Sequence, residues 1–303
     1  MSRATVFAPG SVGNVGPGFD ILGLAIDGIG DRVTVELGKS GPVIVRGLDA
    51  ELVPADPAKN AAAIAAKAML RKLEPTESGL YVTIEKGIPV SAGLGGSASS
   101  SVAGALAAAL ACGASVSPAD IMTAALEGEM FVSGRHLDNI APITLGGLVL
   151  SRSIDPIDVV SLAVPKTWSL VLLTPRVRIE TKQARAILPE MWDRASWIQQ
   201  MANTAALVAA FASGDGALAR RALDDRYAEP RRSPMIPRFA EVKRAALGAG
   251  AFGCSISGSG PTIFAIVDDP TSKNCADAMA QAMTDQPHEL RVAAIARQGA
   301  HAI

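Results

Sequence analysis

The sequence predicts an α+β fold of two domains. The chain has 303 residues, roughly twice the length of an average domain. Short segments alternate apolar and polar residues, as half-buried strands do, and Ala-rich segments of helical length lie between them. We place the division in the weakly patterned stretch 153–166, which gives domains of residues 1–158 and 159–303.

The first domain is predicted to begin with a strand that runs into a glycine-rich loop. The predicted strands are 4–8, 31–37 and 80–85, and the Gly/Pro loop is 9–18. Ala-rich segments predict helices over 57–73 and from the Gly/Ser loop at 88–101 to about residue 112.

The second domain alternates strands with helices. The predicted strands are 168–173, 262–267 and 290–295, and the helical stretches are 181–225, 237–248 and the 270s. A glycine-rich loop, 253–260, precedes the middle strand. This order is typical of an α+β layer built on an antiparallel sheet.

The composition excludes several classes of partner. The 28 basic and 29 acidic residues nearly cancel without a charge block, so we expect no nucleic-acid or membrane partner. The most apolar helical stretch is far shorter than the ~20 residues that span a bilayer. Three widely spaced cysteines, Cys112, Cys254 and Cys275, are typical of reduced thiols in a cytosolic protein. We therefore expect a cytoplasmic location.

The Gly/Ser loop at 88–101 is the most informative stretch. Gly93, Gly95 and Gly96 let the backbone approach a ligand closely. The hydroxyl run from Ser97 lies on the first turn of a helix, where unpaired N–H groups and the positive dipole end attract anions. The loop lacks the lysine of the GxxxxGK[ST] signature. Taken alone, it predicts either a polyphosphate site or a flexible turn before a helix.

Two further glycine-rich loops, 7–20 and 257–262, favour the phosphate site. Residues 89–98 fit the pattern P-x-x-x-G-L-G-S-S-A, with Gly96 at the first serine. The three loops in this order resemble the three motifs of the GHMP kinase superfamily of galacto-, homoserine, mevalonate and phosphomevalonate kinases. The resemblance implies an N-terminal domain of the ribosomal-protein-S5-like type, a ferredoxin-like C-terminal domain and an active site between them.

Four segments narrow the resemblance to the homoserine kinases. They are similar to the family segments N-L-G-P-G-F-D, H-x-D-N-V-A-P, T-x-x-A-R-x-x-L-P and E-P-x-R, and lie at 14–20, 136–142, 181–189 and 229–232. The resemblance covers nearly the whole chain. It implies transfer of the γ-phosphoryl group of ATP to the side-chain hydroxyl of L-homoserine, in threonine biosynthesis. It also implies ATP and Mg²⁺ as cofactors and a homodimer.

The resemblance assigns the substrate side of the site. Asp20 is the implied partner of the homoserine ammonium group, and Arg185 and Arg232 are implied to clamp the carboxylate. Guanidinium forks match carboxylate geometry, which suits that role. Asn14, His136 and Asn139 are implied to lie close to the substrate.

The resemblance also assigns the nucleotide side of the site. The implied contacts of the nucleotide are Pro89, Gly93, Leu94, Gly95, Gly96, Ser97, Ala98, Ser99, Gly258, Ser259 and Gly260. Asn60 and Lys86 lie where the family contacts the nucleotide, and either touch adenine or flank it. Ser97 and Glu129 are implied to hold Mg²⁺. Glu127 stays open as an alternative, because the spacing from Glu129 to His136 is one residue shorter than expected.

The implied mechanism is direct in-line transfer without a dedicated base. Asn139 stands where other superfamily members have an aspartate, and an amide cannot accept the hydroxyl proton. Thr181 is expected to hydrogen-bond the γ-phosphate. Asp138 is expected to point away from Asn139, as neighbours in extended backbone do.

Two rival functions remain open. A kinase acting on L-threonine shares the amino-acid head group and is the hardest to exclude, whereas the two arginines and Asp20 disfavour a sugar or mevalonate. A non-catalytic regulatory member would keep the fold and lose turnover. Consumption of ATP separates it from the kinases.

Overall fold

The computed structural model describes residues 2–75, 79–132 and 134–303, which form two sheets flanked by helices. The strands are β1 (Arg3–Gly13), β2 (Leu22–Leu37), β3 (Ile44–Gly47), β4 (Leu80–Lys86), β5 (Leu148–Ile154), β6 (Ile157–Leu162), β7 (Trp168–Pro175), β8 (Gly253–Ile256), β9 (Ile263–Asp268), β10 (His288–Ala294) and β11 (His301–Ala302). The helices are α1 (Ala61–Leu73), α2 (Gly96–Ala111), α3 (Pro118–Val132), α4 (Ile140–Leu145), α5 (Thr181–Ala186), α6 (Arg194–Ser213), α7 (Gly216–Ala222), α8 (Glu229–Arg232), α9 (Phe239–Gly248) and α10 (Ser272–Ala282).

The first sheet has the order β11-β1-β2-β4-β3, and β5 and β6 continue from the other end of β2. All its pairs are antiparallel except β3 with β4. The Ala-rich helices α1, α2 and α3 pack on one face of this sheet. They approach closely, since a Cβ on Gly104 would lie 2.4 Å from the Ala62 carbonyl oxygen. Small side chains thus replace the scarce aromatic residues in this core.

The second sheet is antiparallel, in the order β10-β7-β9-β8. With its helices it forms the βαββαβ arrangement of a ferredoxin-like domain, as the family resemblance implies. Alternate residues of β7 enter different cores: Val171 and Leu173 face α9 and α10, whereas Leu170 and Leu172 pack against the first domain. The strand is therefore buried on both faces.

The predicted α+β class is confirmed, and the strands run further than their sequence patterns indicate. β1 continues to Gly13 through the predicted Gly/Pro loop, and β2 begins at Leu22. The predicted division after residue 158 falls inside β6, which pairs with β5 up to Leu162. β11, at the end of the chain, pairs with β1 in the first sheet. The division after residue 158 stays a prediction.

The buried Cys254 and Cys275 are free thiols. Burial raises the pKa of the Cys254 thiol and raises that of Cys275 to about 11, so both remain protonated at neutral pH. None of the helices in the described ranges is both long and apolar enough to cross a membrane.

Candidate active site

A cleft of about 410 Å³ lies between the two domains, and all three glycine-rich segments line it. We call residues 14–21 the first loop, residues 87–95 the phosphate loop and residues 257–262 the third loop. Hydrogen bonds join these loops and the end of β1: Ser11 N, in β1, donates to Leu94 O (3.0 Å), Gly258 N donates to Gly13 O, in β1 (3.1 Å), and Ser257 Oγ and Thr262 Oγ1 donate to Gly93 O and Ala92 O (both 2.6 Å). The third loop thus holds the phosphate loop in place.

The phosphate loop depends on left-handed backbone at its glycines. Gly93 has φ 76° and Gly95 has φ 69°, and a Cβ on Gly93 would lie 2.6 Å from the Ser257 carbonyl oxygen. Gly95 is the N-cap residue of helix α2, which has no side-chain cap. The first N–H groups of that helix lack intrahelical partners. Residues 95–97 line the cleft, so these N–H groups are the feature on which the predicted anion site depends.

A buried ion pair underlies the phosphate loop. The Asp31 carboxylate accepts hydrogen bonds from Gly87 N (3.0 Å), Ile88 N (3.1 Å) and Ser100 Oγ (2.6 Å), and it pairs with Lys86 Nζ. Lys86 Nζ also donates to the Gly96 carbonyl oxygen at 3.1 Å. The pair therefore ties β2 and β4 to both the loop and the helix that follows it.

Sequence reasoning assigned no role to Asp31, although a signal was present. In β2, Asp31 lies two, four and six residues before Val33, Val35 and Leu37, so it points to the same face of the sheet. All three apolar residues are buried. The pattern thus places a carboxylate on the core face, where it requires partners. Lys86, predicted to contact the nucleotide, does line the cleft, but its ammonium group is engaged by Asp31.

The side-chain oxygens of Ser97 and Glu129 lie close together beside the phosphate loop. Ser97 Oγ donates to Glu129 Oε2 at 3.0 Å. The approach of α3 depends on Gly128, since a Cβ there would lie 2.5 Å from the Ala61 carbonyl oxygen. Glu127 instead pairs with Arg71 outside the cleft. A hydroxyl and a carboxylate are the hard donors that Mg²⁺ prefers, so Ser97 and Glu129 fit this ion.

Asp20 and Arg185, which also line the cleft, form a bidentate ion pair with N···O distances of 2.8 and 3.0 Å. His136 Nδ1 lies 3.7 Å from the same carboxylate. Burial acts to lower the pKa of Arg185, but the hydrogen bonds and charge of Asp20 outweigh it and raise that pKa. The guanidinium is therefore firmly charged.

Arg232 is almost fully buried, at 3% exposure, and donates to the carbonyl oxygens of Ala184 (3.0 Å) and Gly258 (2.9 Å). Burial and the positive charge of Arg185 lower the pKa of Arg232. Within the described residues its bonds go to carbonyl oxygens and to no carboxylate. An added anion in the cleft would stabilise this charge.

Two asparagines that the sequence predicts at the site bond mainly to the backbone. Asn14 accepts from Asp20 N and donates to the Gly258 carbonyl oxygen, both at 3.0 Å, with φ 67°. Asn60 caps α1 by accepting from Ala63 N at 3.2 Å. Both line the cleft, but their amides hold the walls in shape.

Asp138 and Asn139 lie side by side, so the expectation that Asp138 points away is wrong. A Cβ on Gly13 would lie 2.6 Å from Asp138 Oδ2 and 2.8 Å from Asn139 Nδ2. The two residues occupy a turn that leads into α4, and Asn139 has helical φ and ψ. The strict alternation of extended backbone therefore does not apply.

Asn139 is fixed by Ser11, whose Oγ donates to its Oδ1 at 2.9 Å. Asp138 lines the cleft and accepts from Asn14 N at 3.2 Å. Burial, and secondly the negative charge of Asp20, raise the pKa of Asp138 to about 7. This carboxyl group is therefore poised to ionise when a cation arrives.

Most of the predicted site residues line the cleft: Asn14, Asp20, Asn60, Lys86, Pro89, Gly93, Gly95, Gly96, Ser97, Glu129, His136, Asn139, Thr181, Arg185, Arg232, Gly258 and Ser259. Leu94, Ala98, Ser99 and Gly260 are not among the lining residues. Ser99 is fully buried and donates to the Ala8 carbonyl oxygen at 2.8 Å. Its hydroxyl supports the core. Lining residues that sequence reasoning missed include Leu52, Val53, Pro54, Val90, Asp138 and Arg178.

The fold and the cleft define a GHMP kinase. The family model for the GHMP kinases N terminal domain matches residues 60–147, and that for the GHMP kinases C terminal domain matches residues 207–285. Together the two matched ranges contain the phosphate loop and most of the helices that pack on the two sheets.

The relatives are more specific. The chain is 39% identical to the homoserine kinase of Chloroherpeton thalassium, over 94% of this chain and 92% of that protein. It is 42% identical to the homoserine kinase of Pyrococcus abyssi, over 87% of each chain. The crystal structure of homoserine kinase from Cytophaga hutchinsonii matches with a TM-score of 0.93 at 38% identity, over 100% of this chain and 98% of that one. The chain belongs to the homoserine kinase family.

Proposed function

We propose that this chain transfers the γ-phosphoryl group of ATP to the side-chain hydroxyl of L-homoserine, giving O-phospho-L-homoserine for threonine biosynthesis. One observation carries the proposal. A single cleft is lined both by a phosphate loop with Ser97 and Glu129 and by acids with two arginines. A nucleoside triphosphate and an amino acid require these two sets of partners.

Recognition of homoserine follows from the charges. Its carboxylate matches the guanidinium groups of Arg232 and Arg185, and the described part of the chain gives Arg232 only backbone carbonyl oxygens as partners. For the ammonium group we propose Asp138 beside Asp20. Asp20 already bonds bidentately to Arg185, whereas Asp138 is a buried cleft carboxyl with no such cation attached within the described residues.

ATP would place its phosphates on the phosphate loop and the start of α2. Ser97 and Glu129 would hold Mg²⁺, which when bound neutralises the charge of the β- and γ-phosphates. The cleft also has an apolar wall, formed by Leu52, Val53, Pro54 and Val90. This wall suits a nucleobase better than does the engaged ammonium group of Lys86.

Transfer itself requires alignment rather than covalent chemistry. Asn139, held by Ser11, would orient the homoserine hydroxyl, and its amide cannot take the proton. Thr181, whose Oγ1 lies 3.3 Å from Ser259 Oγ, would donate to the γ-phosphate. The hydroxyl proton then leaves with the phosphate or to solvent, in direct in-line transfer without a dedicated base.

The test is release of ADP by purified protein with Mg-ATP, with L-homoserine, L-threonine, L-serine and mevalonate in parallel. Homoserine-dependent release is the expected result. Release of ADP with threonine or mevalonate alone would support the kinase class and contradict homoserine as the substrate. No release with any acceptor, despite ATP binding, would favour the regulatory alternative.

We further propose a homodimer in the cytoplasm. The support is the family resemblance, together with cysteines that are few and widely spaced. Light scattering on the purified chain tests the dimer, because a mass near 31.1 kDa would identify a monomer.

A further inference from the structure

Phe19 contacts both arginines of the proposed substrate site. The guanidinium carbon of Arg185 lies 5.3 Å from the centroid of the Phe19 ring, and that of Arg232 lies 5.4 Å from it. Phe19 comes from the first loop, whereas the arginines come from α5 and α8. One aromatic ring therefore joins three separate segments of the chain.

The two guanidinium groups repel each other, since the charge of Arg185 lowers the pKa of Arg232. Asp20 occupies the two terminal nitrogens of Arg185. Arg185 Nε is buried and has no hydrogen-bond partner within the described parts of the chain. A ring face attracts cations through its quadrupole, so Phe19 supplies part of the stabilisation that hydrogen bonds leave out.

The ring is itself fixed by an aromatic row. Tyr227 meets Phe19 edge-on, with 4.9 Å between the ring centroids, and Trp192 lies 5.2 Å from Tyr227. The Tyr227 hydroxyl donates to the Pro189 carbonyl oxygen at 3.0 Å. Edge-to-face contacts favour one ring orientation. The face that Phe19 presents to the arginines is therefore preorganised.

We propose that Phe19 is a positioning residue for the homoserine carboxylate, holding the Arg185 and Arg232 guanidinium groups together so that both reach it. The inference rests on the proposed function. It identifies Phe19 as a determinant of acceptor specificity for amino acids over acceptors that lack a carboxylate.

The experiment compares Phe19→Leu and Phe19→Met, which remove the ring, with Phe19→Tyr, which keeps it. Both ring-less variants should raise the KM for homoserine about tenfold, with kcat and the KM for ATP within about twofold of the wild type. Phe19→Tyr should stay within about threefold. Phe7→Leu is the matched control, because Arg32 lies 5.6 Å from the Phe7 ring outside the cleft.

A double-mutant cycle separates positioning from general packing. In an Arg185→Ala background, the effect of Phe19→Leu on kcat/KM for homoserine should shrink at least threefold. An unchanged KM in the ring-less variants, an equal loss in Phe19→Tyr, or full additivity with Arg185→Ala would each overturn the inference alone. A wild-type chain that does not turn over homoserine would remove the proposed function itself, and this inference with it.

Discussion

Asp20 and Arg185 form a two-pronged ion pair across the cleft, with N···O distances of 2.8 and 3.0 Å, although 165 positions separate them in the chain. Asp20 has φ 60°, so the first loop turns sharply where the pair forms. Under the proposed function, a zwitterionic substrate would bring a carboxylate and an ammonium group to this same pair, so substitutions at Arg185 test the proposed substrate site.

Arg185→Lys should raise the KM for homoserine roughly 10- to 100-fold, with the KM for ATP little changed. Lysine keeps the charge but loses the fork that bonds both oxygens of a carboxylate. Steady-state kinetics with each substrate varied in turn measures the effect. Arg152→Lys is the control, since Arg152 pairs with Asp158 on the exposed β5-β6 hairpin. Equal KM values in the two variants would remove Arg185 from the substrate site.

Asp138 should make the fold less stable as the pH rises. Its pKa is raised to about 7 by burial first and by Asp20 second, whereas an unfolded aspartate titrates near ~3.9. Its contribution to stability is therefore fully present below about pH 4 and is lost as the pH rises through about 7. Urea unfolding of ligand-free protein between pH 5 and 7 should show a slope of up to ~1.4 kcal/mol per pH unit from this group.

Asp138→Asn keeps the acceptor for Asn14 N and removes the titration, so its unfolding free energy should lack that slope. Identical pH profiles for the wild type and Asp138→Asn would contradict the buried, protonated state. The same variant also tests the role in binding. We expect a raised KM for homoserine, whereas a fall in kcat of about 10²- to 10⁴-fold with KM unchanged would identify Asp138 as a base.

Glu129→Gln should increase the Mg²⁺ concentration for half-maximal activity by about tenfold or more, because an amide is a weaker ligand for this ion. Glu127→Gln is the matched control from the same helix, since Glu127 pairs with Arg71 at the surface. A Mg²⁺ titration at saturating ATP measures both. If the two variants shift the titration equally, Glu129 does not hold the ion.

Lys86→Met should destabilise the fold by about 3 kcal/mol, since it leaves the fully buried Asp31 carboxylate without its cation. The double variant Asp31→Asn/Lys86→Met should lose less than the sum of the two single variants. Urea unfolding gives the free energies, and the KM for ATP should rise in both single variants because the pair anchors the phosphate loop. Additive free energies would show that the pair is not coupled.

The sequence was sufficient for the fold class, because glycine-rich loops and period-2 strands are local signals. It was also sufficient to bring Ser97, Arg185 and Arg232 to one cleft, through segments that resemble a family. The buried position of Asp31 could also have been predicted, since it alternates in register with Val33 and Val35 on the buried face of the strand. This alternation is a local property and does not require the tertiary fold.

Other features depend on tertiary packing that local patterns do not contain. Asp138 and Asn139 share one side because the chain turns there into α4, and their common neighbour is Gly13, far back in the sequence. Phe19 meets its two arginines only when the first loop, α5 and α8 come together. Gly96 departs from the serine of the family pattern, and a Cβ there would lie 3.1 Å from Ile88 Cγ2. The crowding at position 96 therefore comes from the side chain of Ile88, which a local sequence pattern does not show.

Phosphorus NMR of the reaction with Mg-ATP tests whether this protein phosphorylates L-homoserine. We expect a new phosphomonoester resonance that appears only with homoserine and grows in step with ADP. ATP that stays intact in the presence of homoserine, or that is hydrolysed to inorganic phosphate without a phosphomonoester, would contradict it.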